Sequence, residues 1–438
     1  CDWSSDVCSS DLFSGHKAVL GENYEDTFDI TVKAEDFKFG IERTLSEQTG
    51  SADAPLFSAV KSISTPDDFT IVFNLSYADD NFLYALTNPG AMPCDEEFFN
   101  LTNGKYGLDA KYLLCNGPFH VSKWTEKTSV KLAKNNEYNG ESSVSPSSVT
   151  FYINNDDSEV ADKMNSVTYD VAFLSSSQFS SIENKKDLNS VAVQNVTYSF
   201  IFNQNDNNYR NKNMRLAFCR SCDTSSLFDS QSDISKADGI VPPSCKIGGE
   251  DYRNGNAAEL LSYDETLAKK NFNDALLELG SSSVETTILC TEQYEPFVKQ
   301  MVQKLQKTLG VKFVSTVKVV SESDLEAAVN DGNYSVAFYP FKAKSSFAGE
   351  IIEGFDQNNI FGYESDVLSQ KIRNIKNNSG SLEGERSAVA DAENYLVSEA
   401  VIMPVFYENS YFVTSKKTSG IYFYSSADNV CFINAKKS

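Results

Sequence analysis

The sequence predicts an α/β protein of two lobes, one of them assembled from two separate stretches of chain. Three observations carry this. Residues 201–403 alternate helix and strand patterns, the signature of an α/β layer with a partly parallel sheet. Strand patterns precede that block, over 116–200, and follow it from 405, so the last strands are expected to return to a sheet laid down earlier. The chain has 438 residues, 41% of them apolar, enough for two or three domains with a sizeable core. A chain that passes between lobes twice has a hinge and a cleft, which suits closure around a ligand.

The elements follow in order. Residues 30–49 read as a strand end and a helix, with Glu35 and Asp36 in its first turn and Phe37, Ile41 and Leu45 on one face. Residues 58–75 read as a hairpin turning at Thr65-Pro66-Asp67-Asp68, with Phe69–Leu75 as its second strand. Residues 81–115 read as two helices around a turn region rich in proline, from Asn88 to Cys94. Strands are predicted at Phe119–Val121, Ser129–Leu132, Val149–Ile153 and Val171–Leu174, with a Ser-rich loop over 142–148.

The α/β block is the clearest. Asp264 caps a helix that buries Leu267, Ala268, Phe272, Ala275, Leu276 and Leu279 and stops at Gly280. A strand over Glu285–Cys290 follows. A helix carrying Phe297, Met301 and Leu305 ends at Gly310, and the strand Val311–Val320 comes next. A short helix capped by Ser321 leads to the strand Tyr334–Tyr339. A last helix, 384–399, precedes strands at Val405–Tyr407 and Tyr411–Val413.

The charge balance narrows the function. There are 61 acidic residues against 38 basic, a formal charge of -23. That field repels nucleic acid and anionic lipid, so no nucleic-acid partner is expected. No apolar run reaches the length of a membrane span. Cys1–Leu12, CDWSSDVCSSDL, matches the translation of a common sequencing adapter, and these residues are expected to carry no structure. Setting them aside removes Asp2, Asp6 and Asp11 and leaves seven cysteines: Cys94, Cys115, Cys219, Cys222, Cys245, Cys290 and Cys431.

Cys219 and Cys222 form a C-x-x-C, but inside a helical pattern, whereas redox pairs open a helix after a strand. The chain has two histidines, His16 and His120, too few to complete a zinc site with them. Cys94 and Cys115 are candidates for a disulfide across a surface loop, subject to geometry. No G-x-S-x-G, H-E-x-x-H or glycine-rich phosphate loop occurs. No catalytic residue, metal or cofactor is therefore expected, and the chain reads as a binder and not an enzyme.

From residue 29 onward the chain resembles the extracellular solute-binding proteins of the oligopeptide and dipeptide type, solute-binding family 5. Val32-Lys33-Ala34-Glu35-Asp36-Phe37 is similar to the family's V-T-A-E-D-F, and Asn116-Gly117-Pro118-Phe119 with Trp124 to its N-G-P-F…W. Lys134-Asn135-Asn136-Glu137-Tyr138 resembles K-N-P-x-Y, and Phe202-Asn203 its strand end. Met214-Arg215-Leu216-Ala217-Phe218, Val241-Pro242-Pro243, Asp391–Leu396 and Ile402–Val405 follow at the family's spacing. Most of these motif positions are expected to be scaffold.

The resemblance implies a two-lobed periplasmic-binding-protein fold (class II-like) with a smaller inserted α+β domain whose N-terminal part is missing. Residues 13–115 would be the remainder of that domain, 116–200 plus 405–438 lobe I, and 201–404 lobe II. It implies a monomer that captures a small solute, by default an oligopeptide, through backbone pairing, and delivers it to the permease of an ABC transporter. The location would be the outer face of a bacterial membrane, lipid-anchored, or the periplasm, with the anchoring N-terminus absent. A ligand sensor of the same fold, or a binder of a non-peptide solute, is the alternative.

The implied ligand-binding residues are Asn203, Tyr339, Phe341, Lys342 and Lys344. Peptide binders of the family carry Gly-Trp-x-x-Asp after the strand matching Val336–Phe341, and that aspartate pairs with the peptide's amino terminus. Here the chain reads Pro340-Phe341-Lys342-Ala343-Lys344, with Lys344 where the acid would stand. A lysine repels an ammonium, so this departure points toward an acidic or capped ligand, or to a different anchor.

Overall fold

The computed structural model describes residues 4–6, 29, 31–76, 82–136, 138, 140, 143–153, 157–224, 227–228, 233–343, 346–357, 359–378, 380–424 and 429–438. The chain divides into two compact units. One is Cys1–Glu159 with Lys416–Tyr422 and Cys431–Ser438, and the other is Val160–Ser415 with Phe423–Val430.

In the first unit a three-stranded antiparallel sheet has the order β1-β3-β2, from β1 (Ser4–Asp6), β2 (Val60–Asp67) and β3 (Thr70–Leu75). Helix α1 (Ala34–Leu45) packs on it through Ala34 and Ile41, against Phe57, Ile71 and Phe73. The hairpin turns later than the sequence suggests. Strand β2 runs through Pro66 to Asp67, and the register shifts between Ser64 and Asp67. A bulge is where a strand tolerates a proline that cannot donate to the ladder.

Strand β1 corrects a second expectation. Ser4–Asp6, inside the adapter-like stretch, pairs antiparallel with Thr70–Val72. An open sheet edge offers backbone donors and acceptors to any extended segment, so pairing there needs no particular side chains. The rest of 1–12 lies outside the described residues.

The family-like motifs of this unit hold backbone. Asp36 accepts the Lys33 amide at 2.7 Å, closing the first turn of α1. Helix α2 (Glu96–Leu101) follows, capped by Asp95, which accepts from the Phe98 amide at 2.6 Å. The antiparallel sheet of β4 (Phe119–Thr125), β5 (Ser129–Lys134) and β6 (Ser148–Tyr152) completes the unit. There buried Asn135 donates from Nδ2 to the Gly117 carbonyl at 2.9 Å and from its amide to the Pro118 carbonyl at 3.0 Å. Two separate motifs therefore clasp one another. Residues 116–153 sit in the same unit as 31–115, which moves the expected boundary at 115/116.

Burial pushes the Asp36 carboxyl up to about 6, with the charge of Asp95 adding to it and the Lys33 amide opposing it. The folded pKa lies above the unfolded value of 3.8. The native state therefore binds a proton between about pH 6 and 4 that the unfolded chain releases, and this group's contribution to stability rises as pH falls through that window. Asp36→Asn keeps an acceptor for Lys33 and loses the titration. The melting-temperature gain of the variant over the parent should be larger at pH 7 than at pH 4.5. Parallel curves across that range would refute the assignment.

The second unit is built on two main sheets. Helix α3 (Asp157–Asn165) packs with a small antiparallel sheet, ordered β7-β17-β8, of β7 (Val171–Ser175), β8 (Leu188–Val193) and β17 (Ser410–Ser415), with α4 (Ser176–Ser181) between β7 and β8. Val413, Leu174 and Met164 form its core.

The larger sheet has six strands in the order β10-β16-β9-β15-β13-β14. In chain order its parts are β9 (Val196–Phe202), α5 (Lys212–Ser221), β10 (Ile234–Lys236), the hairpin β11 (Lys246–Ile247) and β12 (Glu250–Asp251) beside it, α6 (Glu265–Leu279), β13 (Val284–Thr291), α7 (Glu295–Leu309), β14 (Phe313–Val320), α8 (Glu322–Asn330), β15 (Val336–Lys342), α9 (Asp366–Asn377), α10 (Leu382–Ser398) and β16 (Ile402–Glu408). Strand β13 pairs parallel with β14 and β15, and β9 pairs antiparallel with β15 and β16.

Both faces of this sheet are covered, as its unbroken apolar strands require. One face sets Phe200, Phe202, Phe338 and Phe406 against α5, α6 and α7. The other sets Ile201, Ala337, Phe341 and Ile402 against α8, α9 and α10. The helix signals act as read: Asp264 accepts from the Leu267 amide at 2.9 Å, and Gly280 closes α6 with φ 62°. Leu267 departs from its expected place. It is 40% exposed, one position off the buried face set by Ala268 and Phe272.

The lobe boundaries expected at 200/201 and 404/405 fall inside β9 and β16, which both lie in the six-stranded sheet. The chain leaves the small sheet for the large one at Gln194-Asn195 and comes back at Asn409. Strand β17 does return to earlier strands, but to β7 and β8 only. The slip has a simple cause: each crossing is extended chain with no glycine or proline to mark it.

Candidate functional site

In open α/β sheets, ligands sit beyond the carboxyl ends of the parallel strands. Here β13, β14, β15 and β16 end at Thr291, Val320, Lys342 and Glu408. Both crossings to the small sheet lie at this end, because β9 begins there and pairs Val196 with Lys342. Gln194 binds the crossings together. Its Nε2 donates to Asn409 Oδ1 at 2.6 Å and to Ser235 Oγ at 2.8 Å.

Two concavities open at this end. A groove of about 550 Å³ runs over Thr291–Gln293 and Val319–Glu322, and includes Asp324. Beside it is a pocket of about 260 Å³. One wall of the pocket is Ser175–Ser177, from the end of β7 and the start of α4. It is lined as well by Gln293, Tyr294, Phe297 and Gln300, at and inside the start of α7. Asp233, Glu408 and Asn409 line it near the crossings. Gln293 lines both concavities.

Glu408 is the charged centre of the pocket. Its Oε1 accepts the Tyr294 hydroxyl at 2.6 Å. Tyr294 is held in turn by an aromatic cluster, with its ring 4.3 Å from that of Tyr198 and 5.4 Å from that of Phe406. Burial pushes the Glu408 carboxyl up, while the Tyr294 hydroxyl, Lys342 and Gln293 pull it back. Burial likewise raises the hydroxyls of Tyr198 and Tyr294.

The residues implied by the family resemblance do not all meet here. Tyr339, Phe341 and Lys342 lie along β15, toward this end. Asn203 lies at the other end of β9, because the antiparallel register sets Phe202 against Val336. Its Nδ2 donates at 2.8 Å to the carbonyls of Gly332 and Tyr334, and its Oδ1 accepts from the Asn205 amide at 3.0 Å. Asn203 thus staples the turn before β15. Phe341 is buried and stacks on Phe355, part of the sheet's packing. Tyr339 is half-buried, its ring edge against Phe341, and burial raises its hydroxyl. Lys342 is exposed at the strand end, and Lys344 lies outside the described residues.

The cysteine expectations resolve differently from one another. Cys94 and Cys115 are free thiols and not a disulfide. The Cys94 thiol accepts from Arg43 Nη1 at 3.5 Å, and Tyr106 packs against it, so its contacts are already made inside the unit. Cys219 and Cys222 lie at the end of α5, both buried, and burial pushes each up to about 12. Such thiols are inert packing groups.

Sequence reasoning passed over Gln194, Gln293, Tyr294, Glu408 and Asn409. A signal for three of them exists: Gln194-Asn195 and Glu408-Asn409 are polar pairs where one strand gives way to the next with no glycine or proline, consistent with extended chain passing from one sheet to another.

Comparison with known proteins places this geometry. A model of the bacterial extracellular solute-binding proteins, family 5 (middle region), matches residues 26–361. The chain is 23% identical over 426 residues to the dipeptide-binding protein DppE of Bacillus subtilis (strain 168), covering 92% of this chain and 78% of that protein. Among solved structures, the substrate-binding domain of an oligopeptide ABC transporter from Bacillus anthracis str. Ames superposes with a TM-score of 0.77 at 18% identity. Peptide-bound OppA of Listeria monocytogenes gives 0.77 at 20%. Each match covers 100% of this chain and 87% of the other, and shows the shared two-lobed α/β fold. The chain belongs to the bacterial extracellular solute-binding proteins, family 5.

Proposed function

We propose that this protein captures an oligopeptide outside the cell and delivers it to the permease of an ABC importer. The observation that carries the reading is the pocket at the carboxyl end of the six-stranded sheet, walled by both main sheets of the second unit beside the two crossings. A solute held there touches both walls at once. Rotation about Gln194-Asn195 and Asn409 would then close one sheet on the other. Families built this way gain affinity from backbone pairing and tolerate many side chains. DppE is named for dipeptides and the Listeria structure holds a peptide, which makes peptides the first solutes to test.

Binding and not catalysis is the role we read for this pocket, since the family is one of solute-binding proteins. The protein would act as a monomer, lipid-anchored at the outer face of the membrane or free in a periplasm. No helix among the described residues is long and apolar enough to cross a membrane.

The test is a thermal-shift titration with mixed di- to hexapeptide pools, beside panels of amino acids and sugars. A saturable rise with peptides is expected, about 2.7 kcal/mol of added stability at a hundredfold excess over Kd. A rise with sugars or free amino acids and none with peptides would overturn the peptide reading.

A further inference from the structure

The two concavities at the carboxyl end of the large sheet share a charge pattern. Glu292, Glu322 and Asp324 line the groove, and Asp233 and Glu408 line the pocket, while neither lining includes a lysine or arginine. Concave walls of one sign focus the field and concentrate counter-charged solutes. That sign is opposite to the expectation drawn from Lys342 and Lys344.

Within this field Glu408 is built as a fixed anchor. Its carboxylate is half-buried and bonded by a neutral hydroxyl, that of Tyr294, which is itself buried and immobilised among Tyr198, Phe338 and Phe406. Holding a carboxylate in such surroundings costs solvation, and a cation brought by a ligand restores what water no longer supplies. Tyr294 and Phe297 line the same pocket, so an ion pair formed there has aromatic rings as neighbours. Glu322, of like sign, and Lys342 at the strand end act on Glu408, and Asp233 shares its pocket.

We propose that Glu408 anchors a positively charged group of the solute, an ammonium or guanidinium, in the pocket between Ser175–Ser177 and Tyr294–Gln300. The proposal rests on the reading of this end of the sheet as the solute site. It makes the protein a receptor for cationic solutes, with the anchoring acid on β16.

Calorimetric titration of the purified protein with six probes tests it. The probes are trilysine, trialanine, N-acetyl-trialanine amide, triglutamate, 1,5-diaminopentane and glutarate. Trilysine is expected to bind at least about tenfold more tightly than the capped and acidic peptides, with an advantage that shrinks as salt rises. Glu408→Gln, which keeps the acceptor for Tyr294, should erase that advantage. Capped or acidic probes binding as well as trilysine to the parent protein would overturn the proposal whether or not the variant folds. A charge preference that survives in a folded E408Q, shown by an unchanged melting temperature without ligand, would overturn it too. If no peptide binds but the diamine does, and E408Q abolishes this, the cation anchor stands and the peptide reading falls. Failure of all six probes would overturn both.

Discussion

Glu393→Ala should destabilise the second unit by about 3–5 kcal/mol, the usual consequence of removing one partner of a buried ion pair. Glu393 is 1% exposed and sits on α10, in the D-A-E-N-Y-L motif. It accepts from both terminal nitrogens of Arg253, from the Val241 amide at 3.0 Å and from the Tyr252 hydroxyl at 3.1 Å. Arg253 also donates to the carbonyls of Val241 at 2.7 Å and Asn256 at 3.2 Å. The pair joins α10 to the segment after β10, including the Val241-Pro242-Pro243 motif. Gly239 lies so close that any side chain there would strike Arg253 and Glu393.

Alanine leaves the guanidinium buried without its counter-charge, and a drop in melting temperature on the order of 10 °C should result. Glu393→Leu combined with Arg253→Met should recover part of it, since replacing both charges removes the unpaired one. The Val241 and Asn256 carbonyls would still lack their donor. A single E393A variant melting within a degree or two of the parent would show that water or relaxation replaces the pair.

Arg215→Met should cost nearly as much, by a different route. Arg215 is 3% exposed, and its guanidinium bonds backbone carbonyls. It donates to four carbonyls: Ala400 at 3.0 Å, Tyr209 at 2.8 Å, Arg210 at 2.9 Å and Glu399 at 3.1 Å. Glu399 and Ala400 follow the last turn of α10, where bare carbonyls give the helix its negative end. Ala400 sits at φ 49°, a left-handed conformation usually left to glycine, and the arginine holds that turn down. Methionine fills the volume but leaves four acceptors unmet, two of them in buried bonds, at about 1–3 kcal/mol for each that water cannot reach. Urea unfolding followed by tryptophan-independent far-UV dichroism would register the loss as a lower midpoint at unchanged slope. An unchanged midpoint would mean that the carbonyls find other donors.

These two residues show what the sequence makes legible. Arg215 and Glu393 stood out as members of family-like motifs, and their expected role as scaffold matches their bonds. Helix ends were readable because caps are local: Asp264, Ser321 and Gly280 act within one turn of their own helix. Sheet order was not readable, since nothing local records that β9 pairs with strands far along the chain. The lobe boundaries failed for that reason. The pocket was missed for a related one. Ser175, Gln293 and Glu408 are polar residues at element ends, individually unremarkable, and only the topology assembles them. Asn203 misled because a motif at a strand's end reveals nothing of which end of the sheet it occupies.

Strand β9 lies at the middle of the six-stranded sheet, and its order of synthesis has a cost in time. Phe200, Ile201 and Phe202 pair with Phe338, Ala337 and Val336 on one side, and Ile201 and Phe200 with Ile402 and Met403 on the other. Both neighbours emerge long after β9 does. The central strand must wait, apolar on both faces, until most of the chain exists. Contacts so distant in sequence make assembly of this sheet slow, and a waiting strand invites wrong pairings. Folding of the second unit is therefore gated by the arrival of β16, the strand whose last residue is Glu408. The native sheet and the solute anchor are completed in the same step.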